Sequence, residues 1–153
     1  MAGTKAPAAK AAIIAALQAL TGPSQALENV LVAYIYPGKR LQLENVYGGR
    51  IRFDQELSTF ASPAVGGGRQ PRTERATITF VVLVKYPDHD QQKADERAAA
   101  IGTVLEEYLA ANPLLGGIAQ VATIESGDIE PFQDDDAVYA QLTYNVSVQS
   151  ELI

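Results

Sequence analysis

The sequence predicts an α+β fold, a mostly antiparallel sheet with two main helices packed on one face and one long loop. Residues 75–86 and 138–148 alternate apolar and polar side chains with period two, the pattern of strands that bury one face. Residues 90–111 instead repeat their apolar positions at helical steps. The full order reads helix, strand, strand, long loop, strand, helix, strand, strand, which assembles as a sheet with helices on one side.

The elements follow in chain order. Residues 5–20 are alanine-rich, with Ile13, Ile14, Leu17 and Leu20 at helical spacing and Gly22-Pro23 as the stop. Residues 30–36 are β-branched and aromatic and end at Pro37-Gly38, so they predict a short strand. A second strand is expected at 46–53, with Tyr47, Ile51 and Phe53 on one face and Arg50 and Arg52 on the other; Gly48-Gly49 inside it suggests a bulge. Between 54 and 74 the pattern dissolves into Ser62-Pro63, the run Gly66, Gly67, Gly68, and Pro71, which predicts a long loop.

The third strand then turns Ala76, Ile78, Phe80, Val82, Val84 and Tyr86 to the core. The second helix presents Ala94, Ala98, Ile101, Leu105 and Tyr108, with Asp88 and Asp90 as N-terminal acceptors and Asn112-Pro113 as the stop. Residues 114–127 read as a Gly-Gly turn and a strand containing Ile118, Val121 and Ile124. The last strand opposes Val138, Ala140, Leu142, Tyr144, Val146 and Val148 to an uncharged polar face, Gln141, Thr143, Asn145, Ser147 and Gln149, on which a second surface can dock.

Composition narrows the function. At 153 residues the chain has the size of one domain, and with no cysteine it has neither disulfides, thiolate metal sites nor a cysteine nucleophile. No apolar run approaches the ~20 residues that span a bilayer, and the N-terminal stretch reads as a helix of the folded protein rather than a signal peptide. A net charge of −6 argues against wrapping nucleic acid. Basic residues gather in the first half at Lys39, Arg40, Arg50, Arg52, Arg69, Arg72 and Arg75, and acids later at Glu106, Glu107, Asp128, Glu130 and Asp134 to Asp136. Such a split suits head-to-tail association of identical subunits, and equally suits solvated loops of either sign.

Chemical motifs are weak. His89 between Asp88 and Asp90 could suggest a metal triplet, but adjacent residues rarely converge on one ion and helix capping explains the acids. Asp134, Asp135 and Asp136 lack the alternating spacing of a calcium loop and read as a solvated turn, or as an acidic patch for a basic loop on a neighbour. Gly66, Gly67, Gly68 and Arg69 are not followed by Lys-Ser/Thr opening a helix, so a phosphate loop is disfavoured. No nucleophile, base and orienting acid stand at recognisable spacing, and the expectation is a protein without catalytic residues, metal or cofactor.

Five segments together carry a resemblance: the N-terminal Ala-rich helix; Val46-Tyr47-Gly48-Gly49-Arg50-Ile51; Arg72-Thr73-Glu74-Arg75-Ala76-Thr77 entering a long strand; Ala94-Asp95-Glu96-Arg97; and Asp134-Asp135-Asp136 leading to Val146-Ser147-Val148-Gln149-Ser150. In order and spacing the chain resembles the tail terminator and related neck proteins of long-tailed bacteriophages. The resemblance implies a structural virion subunit, assembled in the host cytoplasm and placed at the tail–neck junction. It would form a homohexameric ring on the finished tail tube and meet the tail tube protein and a head-completion or stopper protein, with DNA passing nearby and no membrane involved. Head-completion proteins and tail-tube subunits of similar size are the alternatives. The assembly role then falls on Lys39, Arg40, Gly66, Gly67, Gly68, Arg69, Arg72 and Arg75, opposed by Asp134, Asp135 and Asp136.

Overall fold

Two long alternating strands placed side by side set the architecture. The computed structural model describes residues 3–57 and 71–152. Five strands form one sheet in the order β1-β2-β3-β5-β4, with β1 Leu31–Ala33, β2 Glu44–Leu57, β3 Arg72–Tyr86, β4 Val121–Gln133 and β5 Val138–Leu152. Neighbours are antiparallel except β1 and β2, which are parallel. Helices α1, Ala6–Gln18, and α2, Gln91–Ala111, lie on one face. The α+β class and the element order are as the sequence predicts.

The helix-facing side is the core. Ile78, Phe80, Val82 and Val84 of β3 and Val138, Leu142, Val146 and Val148 of β5 form one buried cluster with Ile13 and Leu17 of α1 and Ile101 and Leu105 of α2. Burying each such side chain fully contributes about 1.5–3 kcal/mol relative to leaving it in water. Small residues on α2 bring it close to the sheet: Ala94 and Ala98 are fully buried. At Gly102 a Cβ would collide with the Tyr144 hydroxyl and come within 2.6 Å of Leu142 Cδ2. Tyr144 lies beneath the helix and donates to Glu106 Oε2 at 3.1 Å, and burial followed by that bond raises its pKa.

The helix starts are fixed differently. Asp90 accepts the Lys93 N–H at 3.2 Å and caps α2 locally. α1 has no side-chain cap at its N-cap residue Lys5. The Lys5 N–H instead reaches Glu74 of β3 at 2.9 Å, and this buried carboxylate also accepts from Gln55 Nε2 at 2.9 Å. An anion at a helix N-terminus is favourable because the unbonded N–H groups point at it.

The Gly48-Gly49 bulge is present and reverses one expectation. The β2 register slips between Gly48, opposite Phe80, and Ile51, opposite Ile78. One extra residue flips side-chain parity, so Tyr47, opposite Val81, shares the open face, while Ile51 and Phe53 turn toward the helices. Arg50 and Arg52 keep the face opposite Ile51, as expected. The same site shortens β1. The Tyr34 carbonyl lies 2.6 Å from where a Gly48 Cβ would stand, and Lys10 Nζ donates to the Gly49 carbonyl at 2.8 Å. β2 bends away there, and Tyr34, Ile35 and Tyr36 leave the sheet exposed instead of continuing the strand.

Part of the stretch 54–74, expected as loop, is strand. Residues 54–57 and 72–74 extend the β2–β3 ladder, with Asp54 opposite Arg75 and Leu57 opposite Arg72. Ile118 lies outside β4, beside a short turn whose Leu115 and Gly116 adopt positive φ of 47° and 67°.

The close approach at Gly102 gives a stability test. Gly102→Ala should destabilise by about 1–3 kcal/mol through overpacking. Tyr144→Phe removes the nearest clashing atom, so in urea denaturation the double variant should lose less than the sum of the two single losses.

Candidate assembly surface

Among the described residues, the second face of the sheet carries no helix. Across its middle run Arg50 and Arg52 of β2, Thr77 and Thr79 of β3, Asn145 of β5, and Glu125 and Ser126 of β4, around a shallow groove of about 360 Å³. The hydroxyls and amides bond to each other: Thr79 donates to Asn145 Oδ1 at 3.3 Å, and Asn145 donates to Ser126 Oγ at 3.0 Å. Arg50 and Arg52 are exposed and make no side-chain ion pair or hydrogen bond among the described residues. Two cations over a floor of hydroxyls and amides, with Glu125 the one carboxylate lining the groove, keep an attraction for an outside carboxylate or phosphate.

At one end of the sheet the acidic turn is built as a rigid knob. Asp134 Oδ1 accepts the N–H groups of Asp136 and Ala137, each at 2.9 Å, and Oδ2 accepts the Tyr139 hydroxyl at 2.8 Å. The Tyr139 ring stacks on Phe132, centroids 4.6 Å apart and planes 6° from parallel. The tyrosine hydroxyl, followed by the Asp136 N–H, holds the Asp134 carboxyl below its ordinary pKa, and the same bond raises Tyr139. Asp135 and Asp136 stay exposed.

The structure separates the residues the sequence grouped. Lys39 and Arg40 are exposed on a short 3₁₀ turn, Gly38–Arg40. That turn lies toward the same sheet end as the acidic knob, because Leu43 just beyond it pairs with Lys85 and Lys85 pairs with Tyr139. Arg72 and Arg75 sit in β3 near the far end, roughly 36 Å along the sheet by strand rise. They are not one cluster: three residues apart in a strand, they point to opposite faces, Arg75 exposed on the open face and Arg72 donating to Gln55 Oε1 at 3.0 Å on the helix side. Gly66, Gly67, Gly68 and Arg69 lie outside the described residues.

Sequence reasoning passed over several contributors. Tyr34, Ile35, Tyr36 and Leu43 form an exposed apolar border beside Lys39 and Arg40, and their signal was the aromatic run read as a strand. Arg50 and Arg52 were visible as basic residues, but only the bulge places them over the hydroxyl floor. His89 adopts positive φ, 59°, before α2. Asp88 and Asp90 each lie within 4 Å of Lys93 Nζ, at 3.8 and 3.9 Å. No group of three His, Asp or Glu side chains among the described residues is placed to share a metal ion. No described helix is long and apolar enough to cross a membrane. Compared with protein-family models and with curated proteins, the chain matches none.

The acidic knob should respond to pH in one direction. A carboxyl with a depressed folded pKa contributes order above its ordinary value, 3.8, and loses it as pH falls through the folded value. Tyr139 and Phe132 ring resonances should therefore be steady at neutral pH and shift on acidification below about pH 4. Tyr139→Phe, which removes the largest cause of the depression, should move that transition upward.

Proposed function

We propose that the chain is a structural, non-enzymatic subunit that closes into a ring with copies of itself and caps the tail tube of a long-tailed bacteriophage, joining tail to neck. The observation that carries this reading is the one-sided covering of the sheet. Helices bury one face, while the other offers a broad polar floor with two free arginines at its centre and a rigid acidic knob at one end. A subunit that must bond to neighbours on several sides needs such unspent surface, and opposite charges at separate places favour head-to-tail contacts over symmetric pairs. The order of segments quoted for the resemblance supports the same class, and in this reading the protein resides in the virion at the tail–neck junction.

The open face suits the ring's working surface. Away from Arg50, Arg52 and Glu125, the side chains of Thr77, Thr79, Thr143, Asn145 and Ser147 present hydroxyls and amides without charge, a surface with little hold on passing DNA. Lys39, Arg40 and the apolar border Tyr34 to Tyr36 are then available to the layer above or below.

Native mass measured over a concentration series, followed by addition to a polymerising tail-tube protein, tests the reading. The expected result is a closed hexamer, alone or on the tube, and tubes that stop growing once capped. A monomer at every concentration that leaves tube length unchanged would overturn it.

A further inference from the structure

Both outer edges of the sheet carry long stretches without a partner strand. β1 pairs with β2 only from Asn45 to Tyr47, so beyond Gly49 no described strand flanks β2 as far as Leu57. At the other edge the Pro113 carbonyl takes the Ala122 N–H at 2.7 Å, and beyond it no described strand flanks β4 as far as Gln133. Natural edges of this length usually carry some device against pairing. Here the β2 run opens with Arg50 and Arg52, ahead of Asp54 and Glu56, while the β4 run carries only acids, Glu125, Asp128 and Glu130. None of Arg50, Arg52, Glu125, Asp128 and Glu130 makes a side-chain ion pair or hydrogen bond among the described residues.

We infer that residues 50–53 of β2 in one copy pair antiparallel with residues 127–130 of β4 in the next, Ile51 opposite Ile129 and Arg52 opposite Asp128, the pairing ending where β1 takes the outer side of Tyr47. This deepens the ring reading above and rests on it. Backbone polarity gives the first argument. The Lys85 N–H bonds the Leu43 carbonyl at 2.7 Å, so the odd residues of early β2 bond toward β3. The bulge reverses that parity and leaves Ile51, Phe53 and Gln55 with their N–H and C=O groups directed outward. On β4, Ala122 bonds outward; counted through the irregularity between Ile124 and Ser126, the outward groups are those of Gly127, Ile129 and Pro131. The proline's missing N–H therefore falls on the edge side, where prolines are tolerated. Ile51–Ile129 and Phe53–Gly127 then become hydrogen-bonded pairs.

Side chains give the second argument. In this register Arg50 meets Glu130 and Arg52 meets Asp128 on the open face. On the helix face Ile51 and Phe53 meet Ile129 and Gly127. Phe53 and Ile129 are 46% and 42% exposed in the lone subunit, large apolar groups that the joint would cover. A slip of two residues one way sets Asp54 against Asp128, and the other way leaves Glu130 opposite Gly48. Cross-strand opposite charges stabilise a pair and like charges oppose it, so the register is specified. Two different edges joined head to tail make a contact that repeats until a ring closes.

The chain has no cysteine, so a disulfide reports this joint cleanly. Within one subunit Arg52 and Asp128 are separated by β3 and β5, about 14 Å across the sheet, too far to bridge. Between copies they form a non-hydrogen-bonded pair with Cα atoms about 4.5 Å apart, within disulfide range. The Arg52→Cys/Asp128→Cys double variant, mildly oxidised, should run as a ladder of multimers that reduction collapses; each single variant should stop at dimer. No ladder from a protein whose native mass is oligomeric overturns the joint and leaves the ring reading standing; no ladder from a permanent monomer that ignores the tube overturns both. As a second measurement, Arg52→Glu and Asp128→Arg should each weaken association at least tenfold, with circular dichroism unchanged, and their combination in one chain should restore it. A combined variant as dispersed as the singles would show that the two residues do not meet.

Discussion

One inserted residue in β2 decides what each side of this sheet can do. If β2 ran in unbroken alternation from the buried Val46, Arg50 and Arg52 would point beneath the helices and Ile51 and Phe53 into water. Burying two unpaired guanidinium groups costs several kcal/mol each, far more than the apolar contacts nearby return. The Gly48-Gly49 bulge removes the conflict by reversing parity in mid-strand. Its geometry requires glycine: at Gly48 any side chain would meet both Lys10 and the Tyr34 carbonyl. Lys10 completes the arrangement by donating to Gly49 and resting 4.0 Å over the Tyr34 ring.

The two faces follow from that choice. On the helix side, packing is close because α2 uses alanine and glycine where it meets the sheet, and because the Arg97 guanidinium bonds both carboxylate oxygens of Glu44 at the start of β2. On the other side no described element is packed, and polar side chains bond to one another. A protein that kept its second face for solvent alone would place charges there freely. This one confines positive charge to β2 and the Arg75 and Lys85 positions of β3, and leaves the centre of β5 neutral.

Where local signals were strong, the sequence was legible. The alternation of β3 and β5, the helical stripe and Asp90 cap of α2, and the glycine pair of the bulge each act within a few residues of themselves. What escaped depended on partners distant in the chain. Asp54, Gln55 and Glu56 read as loop because they are polar; they are strand because Arg75, Glu74 and Thr73 lie across the ladder. Tyr47 lies on the open face, away from Ile51 and Phe53, because the bulge between them reverses the parity that simple alternation implies. The arginines were grouped by nearness in sequence, and strand geometry divides them: Arg72 and Arg75 face opposite ways, and Lys39 and Arg40 lie toward the other end.

The cap of α1 has a consequence for how the chain reaches this state. A helix of 13 residues is marginal by itself, and at the start of this one Lys5 offers no side-chain cap, the only local side-chain bond described there being from the Ala6 N–H to Thr4 Oγ1 at 3.2 Å. Its first turn is held by Glu74, 69 positions later. That carboxylate is in place only once β2 and β3 have paired, since Gln55 fixes its other oxygen. The order of α1 is therefore tied to the hairpin that supplies its acceptor. Without that hairpin the Lys5 N–H loses its acceptor, and without α1 the apolar residues of the sheet that it covers would face solvent.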